Sequence, residues 1–279
     1  MTKTKKRFKP SSVITAILVA FWFVVCLIPF VFMIMCTLKN QKQLMKFGVF
    51  SLPKSFDLSN YVEVFTGNIW HYFLNSVIVM AVTLVILLLF SAFAAYPLSR
   101  WKFKLNKPIY ALVVACMSVP IHVTLLPIFM MAVGTGLYDS IWALVGPYVA
   151  FNLPISVFIL VTFMASIPKE LEEAADIDGC GRYGRFWKIM LPLSKPGLST
   201  LVIYDGVNIW NEFSFALTLT QTSANRTLPL AVNEFQGQYS MNIPMIMTVL
   251  FVSILPMIIV YIFTKDKLIE GMMAGAVKG

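Results

Sequence analysis

The sequence predicts an all-α, polytopic membrane protein with six transmembrane helices. Of its 279 residues, 58% are hydrophobic and only 13% are charged. The apolar residues form long runs, and a helix needs a run of about 20 such residues to cross a bilayer. Basic residues gather in short segments between the runs, as they do on the cytoplasmic side of membrane proteins. We therefore predict a single transmembrane domain over residues 1–279.

The first apolar run follows a basic N-terminal segment, which is also how a signal peptide begins. A signal peptide has a shorter apolar core of about 7–15 residues and a small-residue cleavage site behind it. This run is longer than that, so we predict a retained span. Prolines inside several runs predict kinks, which are tolerated where neighbouring helices or water satisfy the freed backbone groups. The predicted spans are 13–37, 74–98, 109–133, 141–165, 198–219 and 243–263.

The distribution of basic residues predicts that both termini are cytoplasmic. Six spans place the two termini on the same side of the membrane. With the N-terminus inside, 17 of the 22 Lys and Arg residues fall in cytoplasmic segments. This is the bias that the positive-inside rule describes. The five basic residues on the outside are Lys39, Lys42, Lys46, Lys54 and Arg226.

Residues 168–196 form a long polar, charge-dense loop within the apolar part of the chain. Pro168 suits the first turn of a helix, and acidic side chains behind it stabilise the positive end of the helix dipole. Gly179 and Gly181 predict the end of that helix. A second short helix is predicted over 183–191, and the proline that follows should end it. Two short helices joined at an angle form a compact plug that suits docking onto a soluble partner.

The loop reads EAA at 173–175, DG at 178–179 and I-x-LP at 189–192, and this pattern resembles the EAA loop of ABC importer permeases. The pattern EAA-x-x-DG continues into I-x-LP, which makes it long and specifically spaced. Cys180 stands where the family has a third small residue, and it is still small. The residues that carry the resemblance are Glu173, Ala174, Ala175, Asp178, Gly179, Ile189, Leu191, Pro192 and Pro196.

The same loop contains the spacing G-x-G-x-x-G at Gly179, Gly181 and Gly184. A dinucleotide-binding loop of this spacing follows directly after a buried strand. Acidic, helix-forming residues precede Gly179 here. We therefore interpret the glycine spacing as a coincidence.

Two further segments resemble the carbohydrate branch of these importers, and in particular the maltose-type second permease subunits. They are WNEF at 210–213 and AGAVKG at 274–279. The resemblance implies a permease subunit in the cytoplasmic membrane of a bacterium, with the ABC importer type I permease fold. It also implies several partners: a second homologous permease subunit, two ATP-binding subunits, an extracytoplasmic sugar-binding protein and a sugar substrate.

In the family, the loop helix lies in a cleft of an ATPase subunit, and ATP-driven closure of the ATPase pair moves the spans. The chain lacks the G-x-x-x-x-G-K-[ST] phosphate-binding loop. We therefore expect no catalytic site and no bound cofactor on this chain, and we expect ATP and magnesium on the ATPase subunits. The coupling residues that the resemblance implies are Glu173, Ala174, Ala175, Asp178, Gly179, Ile189 and Pro192.

The fifth predicted span carries polar residues that suggest a substrate path. Asp205, Asn208 and Glu212 are spaced by three and then four residues, so they share one helical face. A carboxylate at the bilayer centre costs about 2.5–3.5 kcal/mol, so this face should contact water, a partner or substrate rather than lipid. The alternative is that these groups bond a partner permease or cap helix breaks. The predicted path residues are Asp205, Asn208, Trp210, Asn211 and Glu212.

Two other classes of function stay open at this point. One is a secondary carrier or channel without an ATPase, although carboxylates do not recur across several spans as such carriers usually require. The other is a membrane scaffold whose loop only recruits a partner. The four cysteines and two histidines show no metal-binding spacing, so we predict no metal site.

Overall fold

The computed structural model describes the backbone of residues 10–236 and 241–276 and the side chains of 14–236 and 241–265. Most of this chain is helical, with an isolated β-bridge between Gln236 and Met241. The basic segment 1–9 and the last three residues of the predicted tail lie outside the described residues.

The described chain forms two compact units. Unit 1 is drawn from Met1–Gly67 and Val232–Val252, and unit 2 from Asn68–Ala231 and Ser253–Gly279. The single transmembrane domain that the sequence suggests stays a prediction, and each unit is described by itself.

The α-helices are separated by short turns, 3₁₀ segments and one π-turn. In chain order they are α1 (Pro10–Thr37), α2 (Gln41–Phe47), α3 (Ser59–Thr66), α4 (Ile69–Arg100), α5 (Asn106–Cys116), α6 (Leu125–Gly134), α7 (Trp142–Ser166), α8 (Glu170–Ile177), α9 (Arg182–Arg185), α10 (Leu191–Leu193), α11 (Lys195–Trp210), α12 (Ser214–Leu219) and α13 (Ile243–Ala276).

In unit 1, one buried amide closes the end of α1. The last carbonyls of a helix have no partner within the helix. The Asn60 side chain donates to the backbone oxygens of Thr37, at 2.9 Å, and Lys39, at 2.7 Å. The Lys39 side chain is itself buried and donates to the Val49 carbonyl. The α1 end is therefore held by side chains from the connector that follows it.

Unit 2 is built around α4, α7 and α11, which pack against one another. One buried cluster joins Val79, Leu144 and Phe215. A second cluster joins Ala92, Leu160 and Leu201 with residues that follow α8. The absence of a side chain at Gly197 lets α11 approach α7 closely, because an added Cβ there would lie 2.9 Å from the Phe163 ring.

The predicted third span, 109–133, is not one straight helix. α5 ends at Cys116, a 3₁₀ turn follows at Ile121–Thr124, and α6 continues at a bend of 90°. Pro120 lies in the break with an extended backbone. Proline has no N–H to donate and disfavours helical geometry in the residue before it, which explains why the helix stops here.

The predicted fifth span, 198–219, is also broken. α11 ends at Trp210 and α12 begins at Ser214. The first N–H groups of a helix have no partner within that helix. The Glu212 carboxylate accepts from the backbone N–H groups of Phe215, at 2.8 Å, and Ala216, at 3.1 Å, and so stabilises the break.

Four described helical stretches are long and apolar enough to cross a membrane, and the bent α5–α6 pair makes a fifth if it counts as one span. The broken α11–α12 pair covers the remaining predicted span. The total of six membrane crossings therefore stays a prediction. The four long stretches are Ile14–Thr37, Ile69–Arg100, Trp142–Ser166 and Ile243–Lys265.

The loop after α12 is fixed by polar contacts within unit 2. Asp139, which has a positive φ of 56°, accepts from the backbone N–H groups of Gln221 and Thr222. Burial raises the pKa of Asp139, but these hydrogen bonds outweigh burial and hold the pKa below its ordinary value. The Asn75 amide donates to the carbonyls of Ala224 and Arg226. This loop is therefore ordered by side chains from two other segments.

Candidate coupling surface and transport cavity

The first half of the 168–196 loop folds as predicted. α8 carries three acidic residues in its first turn, where the helix dipole favours negative charge. Gly179 then adopts φ +74°, a left-handed conformation that glycine reaches without strain. The N–H of Cys180 bonds the Ala175 carbonyl and that of Gly179 bonds the Asp176 carbonyl. This pair of hydrogen bonds is a Schellman motif, and it ends α8.

A buried ion pair fastens α8 to the end of α4. Arg100 Nε lies 2.8 Å from Glu172 Oε1, and the two side chains are only 4% and 12% exposed. The Tyr96 hydroxyl donates to Glu172 Oε2 at 3.0 Å, and Arg100 Nη2 donates to the Ile167 carbonyl at 2.6 Å. Removing one member of such a pair leaves a buried charge without a partner, which typically destabilises a protein by about 3–5 kcal/mol.

The second half of the loop is anchored by aromatic rings. Phe186 is buried, stacks on Phe93 with ring centroids 5.0 Å apart, and contacts Tyr96. Phe93 and Tyr96 belong to α4, so this half of the loop is held by the same helix. Both halves of the loop are therefore attached to α4.

The prediction that Pro192 ends the second helix is wrong, because the chain stays helical to Leu193. A π-turn, Phe186–Met190, directly precedes this point, and the Leu191 N–H bonds the Phe186 carbonyl. Proline has no N–H to donate, so it interrupts the regular backbone hydrogen bonds of a helix. A π-turn is wider than an α-helical turn and allows the helix to continue past such an interruption.

One side of α8 and the turn behind it are open to a partner, and we call Ala174, Ile177 and Tyr183 the docking face. Ile177 is 87% exposed and Tyr183 is 86% exposed, so both side chains are accessible to a partner. Ala174 and Glu173 are exposed, whereas Ala175 is buried. Neither alanine has a bulky side chain that would keep a partner surface at a distance. The structure leaves that space at Ala174 and uses Ala175 to pack α8.

The other predicted coupling residues differ in their exposure. Asp178 is exposed and caps the C-terminal end of α8. Ile189 is half-buried within the π-turn, and Pro192 is exposed. All three stay predicted coupling residues.

A second candidate site is a cavity of 410 Å³ between α7, α11 and the break in the third span, which we call the polar cavity. Ligand pockets in proteins have volumes of about 300–1,000 Å³, so its size suits a small ligand. Its lining residues are Val119, Ile121, Pro147, Tyr148, Phe151, Asn152, Asn208, Ile209 and Glu212.

The structure brings two of the five predicted path residues to this cavity, Asn208 and Glu212. Asn208 is exposed, and its amide makes no hydrogen bond within the described residues. Glu212 is fixed by the Tyr148 hydroxyl, which donates to Oε2 at 2.7 Å, as well as by the start of α12. The alternative that these polar groups cap helix breaks is therefore correct for Glu212.

Asp205 lies apart from the cavity lining. It is fully buried, and Oδ2 is 2.8 Å from the Ser156 hydroxyl of α7. The same hydroxyl is 2.8 Å from the Asn152 carbonyl. Asp205 Oδ1 has no hydrogen-bond partner in the described structure. Asp205 is thus part of the contact between α11 and α7.

Trp210 and Asn211 also lie outside the cavity lining. Trp210 is buried, its indole N–H donates to the Ser253 carbonyl at 3.2 Å, and its ring contacts Phe73. The Asn211 amide is exposed and donates to the Val207 carbonyl in its own helix. Any role for these two residues in transport stays a prediction.

Two features of these sites are not predicted by the sequence. One is the pairing of Arg100 with Glu172, and the other is the contribution of Tyr148 and Asn152 to the polar cavity. The spacing of three residues places Glu172 and Ala175 on one face of α8, but it does not identify Arg100 as the partner of Glu172. No cluster of three metal-ligating side chains occurs among the described residues, and the four cysteines are free.

These features define the class of protein as a helical membrane permease. The family described as "Binding-protein-dependent transport system inner membrane component" matches residues 87–267, a range that includes both α8 and the polar cavity. The chain belongs to this family.

Individual relatives agree with this membership. The chain is 48% identical over 263 residues to an ABC transporter permease protein, ORF2, from Caldicellulosiruptor sp. (strain Rt8B.4), covering 94% of this chain and 96% of the relative. It is 33% identical over 264 residues to the arabinooligosaccharides transport system permease AraQ from Halalkalibacterium halodurans, and the match covers 93% of this chain and 94% of the relative.

A solved chain shows the same fold. It comes from a bacterial ABC transporter involved in the import of the acidic polysaccharide alginate. The TM-score is 0.79 at 21% sequence identity, and the match covers 94% of this chain and 99% of the other. The ABC importer type I permease fold that the sequence resemblance implied is therefore confirmed.

The burial of Asp205 predicts a difference between two positions on α11. In an otherwise cysteine-free chain, Asn208→Cys should react with a small hydrophilic thiol reagent, because position 208 is exposed at the cavity. Asp205→Cys should react as slowly as Leu201→Cys, since both positions are 0% exposed. The measurement is the alkylation rate of each variant in detergent micelles. An Asp205→Cys rate equal to that of Asn208→Cys would show that Asp205 faces water after all.

Proposed function

We propose that this chain is the transmembrane permease subunit of a binding-protein-dependent importer of sugars or oligosaccharides. In this proposal it forms half of the translocation channel with a second, homologous permease subunit. The observation that carries the proposal is the docking face, which is open to a partner on one side and fastened to α4 by the Arg100–Glu172 pair on the other. A loop fastened in this way can transmit movement of a docked partner to the spans.

The docked partner is an ATP-binding subunit, and two such subunits serve the importer. The buried core of a protein interface is enriched in aromatic side chains, which fill pockets on the partner. Tyr183 supplies such a side chain, Ile177 adds apolar surface, and Ala174 leaves room for the partner to approach α8. ATP and magnesium bind to the partner subunits. This chain supplies no phosphate-binding loop and no catalytic residue of its own.

Coupling follows from how the loop is attached. Movement of the loop pulls on α4 through the Arg100–Glu172 pair in its first half and through Phe186 in its second half. α4 packs along α7, and α7 packs on α11. The breaks in the third and fifth spans lie beside the polar cavity. A rigid shift of α4 and α7 can therefore change the shape of the cavity without unfolding any span.

A sugar substrate is supported by the relatives and by the cavity. The AraQ relative is named as an arabinooligosaccharide permease. The polar cavity offers amides and a carboxylate to sugar hydroxyl groups, which both donate and accept hydrogen bonds. An extracytoplasmic sugar-binding protein delivers the substrate.

Gly179→Trp tests the coupling role. An added Cβ at Gly179 meets nothing within 4 Å, so the chain itself has room for a side chain, but a non-glycine residue in the left-handed conformation is strained by about 1–2 kcal/mol. We expect the variant complex to reach the membrane and to lose most sugar uptake and sugar-stimulated ATPase activity in proteoliposomes. The cause would be a side chain, and a shifted turn, beside the docked ATPase.

Two matched variants separate the effect of a bulky side chain from the effect of backbone strain at Gly179. Gly181 also has open space, yet its φ is −64°, so Gly181→Trp adds bulk without strain. Gly179→Asn adds a small side chain that tolerates the left-handed conformation. We expect Gly179→Asn to keep coupling. Wild-type uptake by Gly179→Trp with its ATPase subunits bound would overturn the coupling role of this turn.

We also propose that the chain lies in the cytoplasmic membrane of a bacterium with both termini and the 168–196 loop in the cytoplasm. The charge distribution supports this orientation. Four exposed positions test it by single-cysteine labelling in sealed, right-side-out vesicles. Ser55→Cys and Thr222→Cys should react with an impermeant thiol reagent, and Lys104→Cys and Tyr183→Cys should react only after the membrane is opened. Labelling of Lys104→Cys in sealed vesicles would reverse the orientation.

A further inference from the structure

The polar cavity contains two amide side chains on facing helices, with hydrogen-bonding groups that the protein does not use. The Asn208 amide on α11 makes no hydrogen bond within the described residues. The Asn152 amide on α7 donates one N–H to the Tyr148 carbonyl, at 2.8 Å, and its side-chain oxygen has no partner in the described structure. Amides carry two donors and one acceptor oxygen, so both residues can still donate and accept.

The third polar group of the cavity is almost fully used by the protein. A carboxylate offers about four acceptor positions. Glu212 accepts from the Tyr148 hydroxyl, the Phe215 N–H and the Ala216 N–H. One acceptor position remains for a ligand. Glu212 is therefore a fixed negative charge at the cavity wall, held in place whether or not a ligand is present.

Apolar surface completes the cavity. Phe151 is half-buried and packs against Phe215 with ring centroids 5.6 Å apart, so its ring is held in position. Val119, Ile121 and Ile209 add aliphatic surface. A fixed aromatic ring beside free amides suits a ring that has apolar C–H faces and hydroxyl edges, as sugar rings do.

The charge of the cavity distinguishes between classes of sugar. No Lys or Arg lines it within the described part of the chain, and Glu212 is its one ionisable carboxyl group. Proteins that bind anionic groups typically use Arg or Lys for them. An acidic sugar would meet the Glu212 carboxylate without a compensating cation.

We propose that the polar cavity is a subsite for a neutral sugar ring on this subunit, with Asn208 and Asn152 bonding its hydroxyl groups and Glu212 disfavouring acidic sugars. The proposal rests on the proposed function as a sugar importer and adds where, and for which class of sugar, this chain contributes to recognition. Tyr148 is a positioning residue, because it holds Glu212 and is itself buried.

The test is protection of a reporter cysteine. Val119 lies in the cavity lining and is 49% exposed, so Val119→Cys in an otherwise cysteine-free transporter complex reports on access to the cavity. The complex is purified in detergent, and the alkylation rate is measured against concentration of arabinotriose as the neutral sugar and alginate trisaccharide as the acidic one. Asn208→Leu is compared with Asn211→Leu, since Asn211 is also exposed but its amide bonds its own helix.

We expect arabinotriose to slow alkylation of Val119→Cys and alginate trisaccharide to have no effect. Asn208→Leu should raise the arabinotriose concentration that gives half-maximal protection about tenfold. This is the size of effect expected for the loss of one or two hydrogen bonds. Asn211→Leu should leave it unchanged. Alkylation without sugar should be equally fast in both variants, which shows that the cavity is intact.

Several results would overturn the subsite: no protection by arabinotriose, equal protection by the acidic sugar, or the same half-protecting concentration in Asn208→Leu and Asn211→Leu. Uptake by the wild-type complex, reconstituted with its binding protein and energised with ATP, is measured in parallel. Sugar uptake with no protection would overturn the subsite alone. A complex that hydrolyses ATP and takes up no sugar would overturn the proposed function.

Discussion

The contact between Arg100 and Glu172 is the constraint on which the attachment of the 168–196 loop to α4 depends. It joins the last residue of α4 to the first turn of α8, and both side chains are nearly buried. A buried pair of this kind tolerates little displacement, because each charge needs the other together with its remaining hydrogen bonds. Tyr96 and the Ile167 carbonyl provide those bonds. The coupling role proposed for the docking face requires that the opposite side of α8 is fixed in this way.

A related constraint acts in the predicted fifth span, where a helix break must find partners for its freed backbone groups. The break between α11 and α12 meets this requirement through Glu212, which bonds the start of α12 and accepts from Tyr148 of α7. The same carboxylate is then available to shape the polar cavity. One residue therefore stabilises an irregular backbone and sets the charge of the adjacent cavity, which links the local fold to the class of substrate proposed.

Some local features of this protein could be predicted from sequence, whereas the long-range contacts could not. α8 and its end at Gly179 follow from a charged first turn and a glycine that adopts the left-handed conformation. The 90° bend in the third span is larger than the kink that proline alone predicts, because its angle depends on packing. The Tyr148–Glu212 bond spans 64 residues and leaves no local pattern. Asp205 was correctly predicted to avoid lipid, but its contact with Ser156 depends on the packing of α7 on α11.

The most direct test of the account is a double-mutant cycle at Arg100 and Glu172, measured as sugar-stimulated ATPase activity of the complex in proteoliposomes. Arg100→Leu and Glu172→Leu should each reduce coupling strongly, because each leaves one buried charge unpaired. The double variant should be closer to wild type than either single variant, since the unpaired charge is gone and α8 can still pack on α4. Full coupling in either single variant, or losses that simply add in the double variant, would contradict the claim that this pair links the docking face to the spans.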